Sequence, residues 1–141
     1  MTESPTESAP APLKVLVYSD DVNTRDQVLL SLGPRPHPDL PPVDYVEVAT
    51  EPMVMEHLDT GTFDLAILDG EAVPAGGMGI ARQIKDEIYQ APPVLVLISR
   101  PDDAWLATWS RADAAVPHPL DPMQLASVVV RLLRGRLAAT H

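Results

Sequence analysis

Near its beginning the chain reads Lys14-Val15-Leu16-Val17-Tyr18-Ser19-Asp20-Asp21. The first six of these residues are mostly apolar and rich in β-branched and aromatic types, which favours a buried strand. Two aspartates follow, and either Asp21 or Asn23 can cap the helix predicted after them, which Gly33 would end. The stretch therefore predicts a strand that turns into a helix, with two carboxylates at the turn.

The same strand-and-helix unit recurs along the chain. Further strands are predicted at Tyr45–Ala49, Phe63–Leu68, Val94–Ile98 and Ala114–Val116. The second strand alternates in polarity, as an edge strand does, whereas the fourth is continuously apolar and indicates burial on both faces. Further helices are predicted at Met53–Leu58, from Ile80 to about Tyr89, from Asp102 or Asp103 to about Arg111, and after Asp121 with Pro122 at the first position. Five strands alternating with helices predict an α/β fold, a three-layer, doubly wound sheet of five parallel strands.

Composition restricts the possible classes of function. The 141 residues fit one domain, predicted at 13–134, between a disordered tail at 1–12 and a short tail at 135–141. Twenty acidic against ten basic residues give a net charge of −10, which disfavours nucleic-acid binding. No apolar run approaches the about 20 residues of a membrane span, and the N-terminus lacks a secretory signal. The chain has no cysteine, which excludes thiol and zinc-thiolate chemistry and is compatible with the cytoplasmic location that we expect. The acidic surface would favour a basic patch on a protein partner.

Four polar side chains are predicted to follow strand ends. They are Asp20, Asp21, Asp69 and Ser99. Because the carboxyl ends of parallel strands share one edge of a sheet, we expect these side chains to meet there. Carboxylates held close together repel, so the pocket favours a hard divalent cation such as Mg²⁺. Ordinary helix capping is the alternative explanation for Asp20 and Asp21.

The order and spacing of four segments resemble the receiver domain of bacterial response regulators, the chemotaxis-receiver type. The segments are Leu16-Val17-Tyr18-Ser19-Asp20-Asp21, Leu65-Ala66-Ile67-Leu68-Asp69, Pro93-Val94-Leu95-Val96-Leu97-Ile98-Ser99 and Ala112-Asp113-Ala114-Ala115-Val116-Pro117-His118-Pro119-Leu120-Asp121-Pro122. The resemblance spans about Leu13 to Leu133. It implies a flavodoxin-like sheet with strand order 2-1-3-4-5.

The resemblance also implies roles for individual residues. Asp69 takes the position of the aspartate that receives phosphate from a histidine kinase. Asp20 and Asp21 take the positions of the acidic pair that binds Mg²⁺ with it, and the backbone carbonyl of Glu71 completes the protein ligands. Ser99 takes the place of the switch hydroxyl, although a strict count from the preceding proline puts Ile98 there.

The chain departs from the family pattern at two further positions. His118 stands before Pro119 where the family carries a lysine, so the cation that would face a phosphorylated aspartate is shorter and charged only when protonated. Ala115 stands where the family carries an aromatic switch residue. These changes predict a receiver in which signalling by phosphorylation is weakened.

Two functions remain open at this point. The first is a stand-alone pseudo-receiver, not an enzyme, that binds another protein or serves as accessory subunit of a larger enzyme such as respiratory NADH:quinone oxidoreductase, peripheral to the membrane. The second is a phosphorylatable single-domain response regulator with Asp69 as acceptor. Trp105 and Trp109 share one face of a predicted helix and are candidates for the partner surface. Independent catalysis is not expected, because the chain has no P-loop motif and no dinucleotide-binding motif.

Overall fold

Short apolar runs form the strands of a single parallel sheet. The computed structural model describes residues 11–70, 77–88, 90–99 and 111–140. The strands are β1 (Leu13–Tyr18), β2 (Val43–Val48), β3 (Leu65–Asp69), β4 (Val94–Ile98) and β5 (Ala114–Pro117). They pair in parallel in the order β2-β1-β3-β4-β5, with β3 at the centre. The predicted fold class and strand order are confirmed.

Four helices lie within the described part of the chain. They are α1 (Val22–Leu32), α2 (Glu51–Thr60), α3 (Gly77–Glu87) and α4 (Pro122–Thr140). As predicted, Asp21 caps α1, and Asp121 accepts a hydrogen bond from the Met123 N–H at the start of α4. The helix predicted from Asp102 or Asp103 to Arg111 falls almost entirely outside the described residues.

The two faces of the sheet bury separate apolar clusters. One face packs against α1 and α4, and the other packs against α2 and α3. All side chains of β4 are buried, as its continuous apolar sequence predicted. The helices therefore cover both faces and leave the carboxyl edge of the sheet as the place where polar side chains can converge.

Several elements have limits that differ from the predicted ones, among them the second strand and the last helix. The second strand begins at Val43 rather than Tyr45, because Val43 pairs with Leu13 and is buried. The last helix continues to Thr140 and includes most of the segment 135–141 predicted as a tail. Leucine, alanine and arginine after Gly135 are strong helix formers, and they outweigh the cost of about 1 kcal/mol for one glycine.

No helix in residues 11–70, 77–88, 90–99 or 111–140 combines the length and the apolar character needed to cross a bilayer.

We expect Leu125→Ala to destabilise the protein by about 2–5 kcal/mol, because Leu125 is fully buried between α4 and the sheet. The matched control is Leu30→Ala on α1, where the side chain is 84% exposed and the change should stay within about 0.5 kcal/mol. Urea denaturation followed by circular dichroism measures both. Equal losses for the two variants would contradict the packing described here.

Candidate functional site

The parallel register brings the residues after β1 and β3 to one place. Tyr18 pairs with Leu68, so the next residues, Ser19 and Asp69, lie side by side at the carboxyl edge. Asp69 in turn pairs with Leu97 of β4, and the N–H of Gly70 donates to the Leu97 carbonyl at 2.8 Å. The convergence that the sequence predicted at this edge is present in the backbone.

A buried hydrogen bond joins Ser19 to Asp69. The Ser19 hydroxyl Oγ donates to Oδ2 of Asp69 at 2.8 Å, and both residues are buried. The same hydroxyl oxygen accepts the N–H of Asp21 at 3.1 Å. Ser19 thus saturates one carboxylate oxygen of Asp69 and fixes the turn into α1.

The sequence interpretation did not single out Ser19. It placed Ser19 as the last residue of a strand at Lys14–Ser19, whereas β1 ends at Tyr18. The true end lies one residue earlier, so Ser19 is the first residue past the strand and faces the acceptor position. A hydroxyl immediately before the two aspartates was the signal that could have found it.

The two aspartates that were predicted as metal ligands are both exposed. Oδ1 of Asp21 accepts the N–H of Asn23 at 2.9 Å and caps α1. Helix capping, the alternative considered from the sequence, therefore accounts for Asp21. Asp20 is exposed at the turn, close enough for its charge to act on Tyr18.

Arginine from α1 holds the backbone of the site in place. Nη1 of Arg25 donates to the Ser19 carbonyl at 2.6 Å, and its Nε lies 3.2 Å from a carboxylate oxygen of Glu47 on β2. The arginine side chain is mostly buried. It ties the turn after β1 to the neighbouring edge strand, so the position of Ser19 is fixed from both sides.

His118 approaches Asp69 from the end of β5. Its Nε2 lies 3.6 Å from Oδ1 of Asp69, which is longer than a hydrogen bond. This nitrogen is buried and makes no hydrogen bond within the described residues. The His118 N–H donates to the Ile98 carbonyl at 2.8 Å, and the peptide bond to Pro119 is cis. His118 therefore lies on the opposite side of Asp69 from Ser19, and the switch role predicted for it stays a prediction.

The electrostatics of the site are visible at Tyr18. Burial raises the pKa of the Tyr18 phenol above its ordinary value of 10.0, and the carboxylates of Asp20, Glu51 and Asp69 raise it further. All three carboxylates act in the same direction because they disfavour a second anion among them. Tyr18 therefore stays protonated, and the edge of the sheet remains negatively charged.

The described residues do not assemble the predicted Mg²⁺ ligands. In these parts of the chain no three histidine, aspartate or glutamate side chains group closely enough to hold a metal ion. The Asp21 carboxylate is engaged at the helix cap, and one oxygen of Asp69 accepts from Ser19. Glu71 lies outside the described residues, so its predicted role as a ligand stays a prediction.

The roles predicted for four further residues stay predictions. Ser99 directly follows β4 and is half-buried, whereas Ile98 is buried in the core against α2 and α3. The switch role predicted for either residue stays a prediction. Trp105 and Trp109, the candidates for the partner surface, lie outside the described residues.

Known proteins resemble this chain in sequence and in fold, although no protein-family model matches it. Over 123 residues it is 64% identical to an uncharacterized response regulatory protein of Mycobacterium tuberculosis, in strain H37Rv and in strain CDC 1551, which covers 87% of this chain and 92% of the relative.

Solved structures share the fold at lower sequence identity. The signal receiver domain of a signal transduction histidine kinase from Syntrophus aciditrophicus matches with a TM-score of 0.71 and 23% identity, over 86% of this chain and 90% of that one. The chemotaxis response regulator CheY4 of Vibrio cholerae matches with a TM-score of 0.71 and 19% identity, over 86% of this chain and 99% of that one.

A pair of substitutions separates capping from metal binding at Asp21. We expect Asp21→Ala to destabilise the protein by about 0.5–2 kcal/mol and Asp21→Asn to leave it nearly unchanged, because asparagine caps a helix as well as aspartate does. Urea denaturation with and without Mg²⁺ measures both variants. A stabilisation by Mg²⁺ that disappears in Asp21→Asn would instead show a metal ligand.

Proposed function

We propose that this chain, which belongs to the response regulator family and has the receiver fold, works mainly by binding another protein rather than by relaying phosphate. The observation that carries the proposal is the state of Asp69. Its carboxylate lies buried between the Ser19 hydroxyl and the His118 imidazole. A receiver in this state can still present its surfaces to a partner.

The first argument concerns access to Asp69. The side chain is 5% exposed, and its Oδ2 already accepts the Ser19 hydroxyl. A nucleophilic carboxylate needs one oxygen within about 3–3.5 Å of the phosphorus and aligned for attack. Phosphoryl transfer to Asp69 would require the Ser19 and His118 side chains to make room, and this opposes the reaction.

The second argument concerns the charges around Asp69. Mg²⁺ binds through carboxylates together with water and substrate oxygens. Here a neutral hydroxyl stands beside Asp69, and the Asp21 carboxylate serves the helix. The described residues therefore do not fit a resident Mg²⁺ ion, and no step of the proposed function depends on one.

The third argument concerns the cation that would neutralise the negative charge of a phosphoryl group on Asp69. His118 is the basic side chain at Asp69, and its Nε2 lies 3.6 Å from the carboxylate. Imidazole carries a positive charge only when protonated, whereas the lysine that the family places there is a permanent cation at neutral pH. A phosphorylated Asp69 would be less well stabilised than in a receiver with lysine.

The partner is another protein, either a histidine kinase or a larger enzyme complex that this chain serves as an accessory subunit. The net charge of −10 favours a partner surface with basic residues or a contact through the few basic patches of this chain. Respiratory NADH:quinone oxidoreductase is the first complex to test, by affinity purification of the tagged full chain from its source cells.

A phosphorylatable response regulator is the second candidate, favoured by the position of Asp69 at the end of the central strand. Incubation with Mg²⁺ and acetyl phosphate, followed by mass spectrometry of the intact protein, separates the two. We expect little or no phosphoryl adduct, because Asp69 is buried and the described residues include no group of three acidic or imidazole side chains that could hold a metal ion. An adduct that forms readily in the unchanged chain and is lost in Asp69→Asn would overturn the proposal.

Ser19→Asp should create a metal site that the described residues of the unchanged chain do not form. A second carboxylate beside Asp69 repels it in the absence of metal and attracts Mg²⁺, so we expect Mg²⁺ affinity to rise at least about tenfold. Isothermal titration calorimetry with MgCl₂ measures the change. The control is Ser127→Asp, which adds the same charge at an exposed position on α4. If the unchanged chain bound Mg²⁺ as tightly as Ser19→Asp, the argument from Ser19 would be wrong.

A further inference from the structure

We propose that a groove along α4 receives an acidic, amphipathic helix of the partner protein. The groove lies between α4 and the segment 34–42, with a volume of about 640 Å³. The inference rests on the proposed function, because it gives the partner-binding role a surface and a chemistry. It does not involve Trp105 and Trp109, which lie outside the described residues.

The groove is lined mainly by apolar side chains, most of them half-buried or buried against the core. Pro36, Ala126 and Val130 contribute to its lining together with Met123. Met123 is 82% exposed although its side chain is long and apolar. Burial of this exposed side chain on an apolar partner would be favourable. A polarizable, flexible thioether also adapts to varied apolar partners.

Basic side chains lie toward one end of this groove. Arg131 and Arg134 are two and three turns beyond Met123 along α4, about 12 and 16 Å away by helical rise. Arg134 pairs with Asp39 at 2.9 Å. Arg131 is exposed and makes no hydrogen bond or ion pair with the described residues. One cation beside the apolar lining is therefore available to a partner.

The charge of α4 is opposite to that of the whole protein. Its 19 residues include three arginines, at 131, 134 and 136, and no aspartate or glutamate. The whole chain carries −10. Arg134 pairs with Asp39 and Nε of Arg136 lies 3.9 Å from Asp64, so among the described residues the uncompensated charge at the groove is that of Arg131. A basic side chain beside an apolar groove favours an acidic segment, since complementary charge sets specificity and orientation.

The dimensions favour a helix as the bound segment. About three turns separate Met123 from Arg134, which is long enough to receive the two turns spanned by apolar anchors at i, i+3 or i+4, and i+7 on an amphipathic helix. A second copy of this chain fits less well. Two molecules of charge −10 repel, and a symmetric contact through α4 would set Arg131 against its own copy.

Two designed peptides test the chemistry with the full chain. Both have about 14 residues and the same leucine and alanine face, one with glutamate and the other with lysine on its polar face. Fluorescence anisotropy of labelled peptide should show the glutamate peptide binding at least about tenfold tighter. The difference should shrink in high salt, because exposed charges are screened.

Matched variants locate the binding surface. We expect Met123→Ser and Arg131→Glu each to weaken binding of the glutamate peptide about tenfold. Leu30→Ser on α1 controls for loss of an equally exposed apolar side chain. Arg111→Glu controls for charge reversal, at an exposed arginine that pairs with Asp86. Thermal unfolding midpoints check that all four variants are folded.

Three results would overturn the groove. The first is equal binding of both peptides. The second is a loss of peptide binding in the controls as large as that in their test variants. The third is self-association of the unchanged chain that Arg131→Glu converts to monomers. A natural partner retained by both Met123→Ser and Arg131→Glu would also reject the groove, while leaving the proposed function in place. A phosphoaspartate at Asp69 rejects the proposed function alone, because the peptide comparison does not involve that residue.

Discussion

The hydrogen bond between Ser19 and Asp69 organises the carboxyl edge of this sheet. It crosses from β1 to β3, and both groups are buried, so losing either would leave a polar atom without its partner. The same serine oxygen accepts from the N–H of Asp21, which starts α1, and Arg25 binds the serine carbonyl. Ser19 therefore holds together β1, the turn after it and α1, although a search for catalytic or metal-binding residues would not select it.

The burial of Asp69 beside Ser19 alters the chemistry expected of this pocket. A receiver pocket requires a reachable carboxylate, a cation beside it and a switch that reports the change. Here the carboxylate is buried, the side chain before Pro119 is an imidazole rather than a lysine, and the resemblance to receivers puts Ala115 at the aromatic position. What remains intact is the scaffold, and its helices offer surfaces whose charge and shape differ from one another. Binding through such a surface needs no chemistry at the pocket.

Most of the fold could be predicted from the sequence, because periodicity and capping are local. The span of β4 follows directly from its unbroken apolar run, and both Asp21 and Asp121 are found as caps. The site was harder, because a strand end is uncertain by one residue and neighbouring side chains at the edge point in different directions. Because β1 ends one residue earlier than predicted, Ser19 rather than an aspartate is the hydrogen-bond partner of Asp69. The distance from His118 to Asp69 also depends on tertiary packing, which no local pattern encodes.

The strand β2 has a consequence for how the molecule behaves at high concentration. It has a neighbour on one side only, so its outer backbone groups could template another strand. Its exposed positions include Asp44 and Glu47, and two such edges meeting would place like charges together. These charges oppose edge-to-edge pairing of β2 strands from two molecules, so we expect the protein to resist fibril-like association at high concentration.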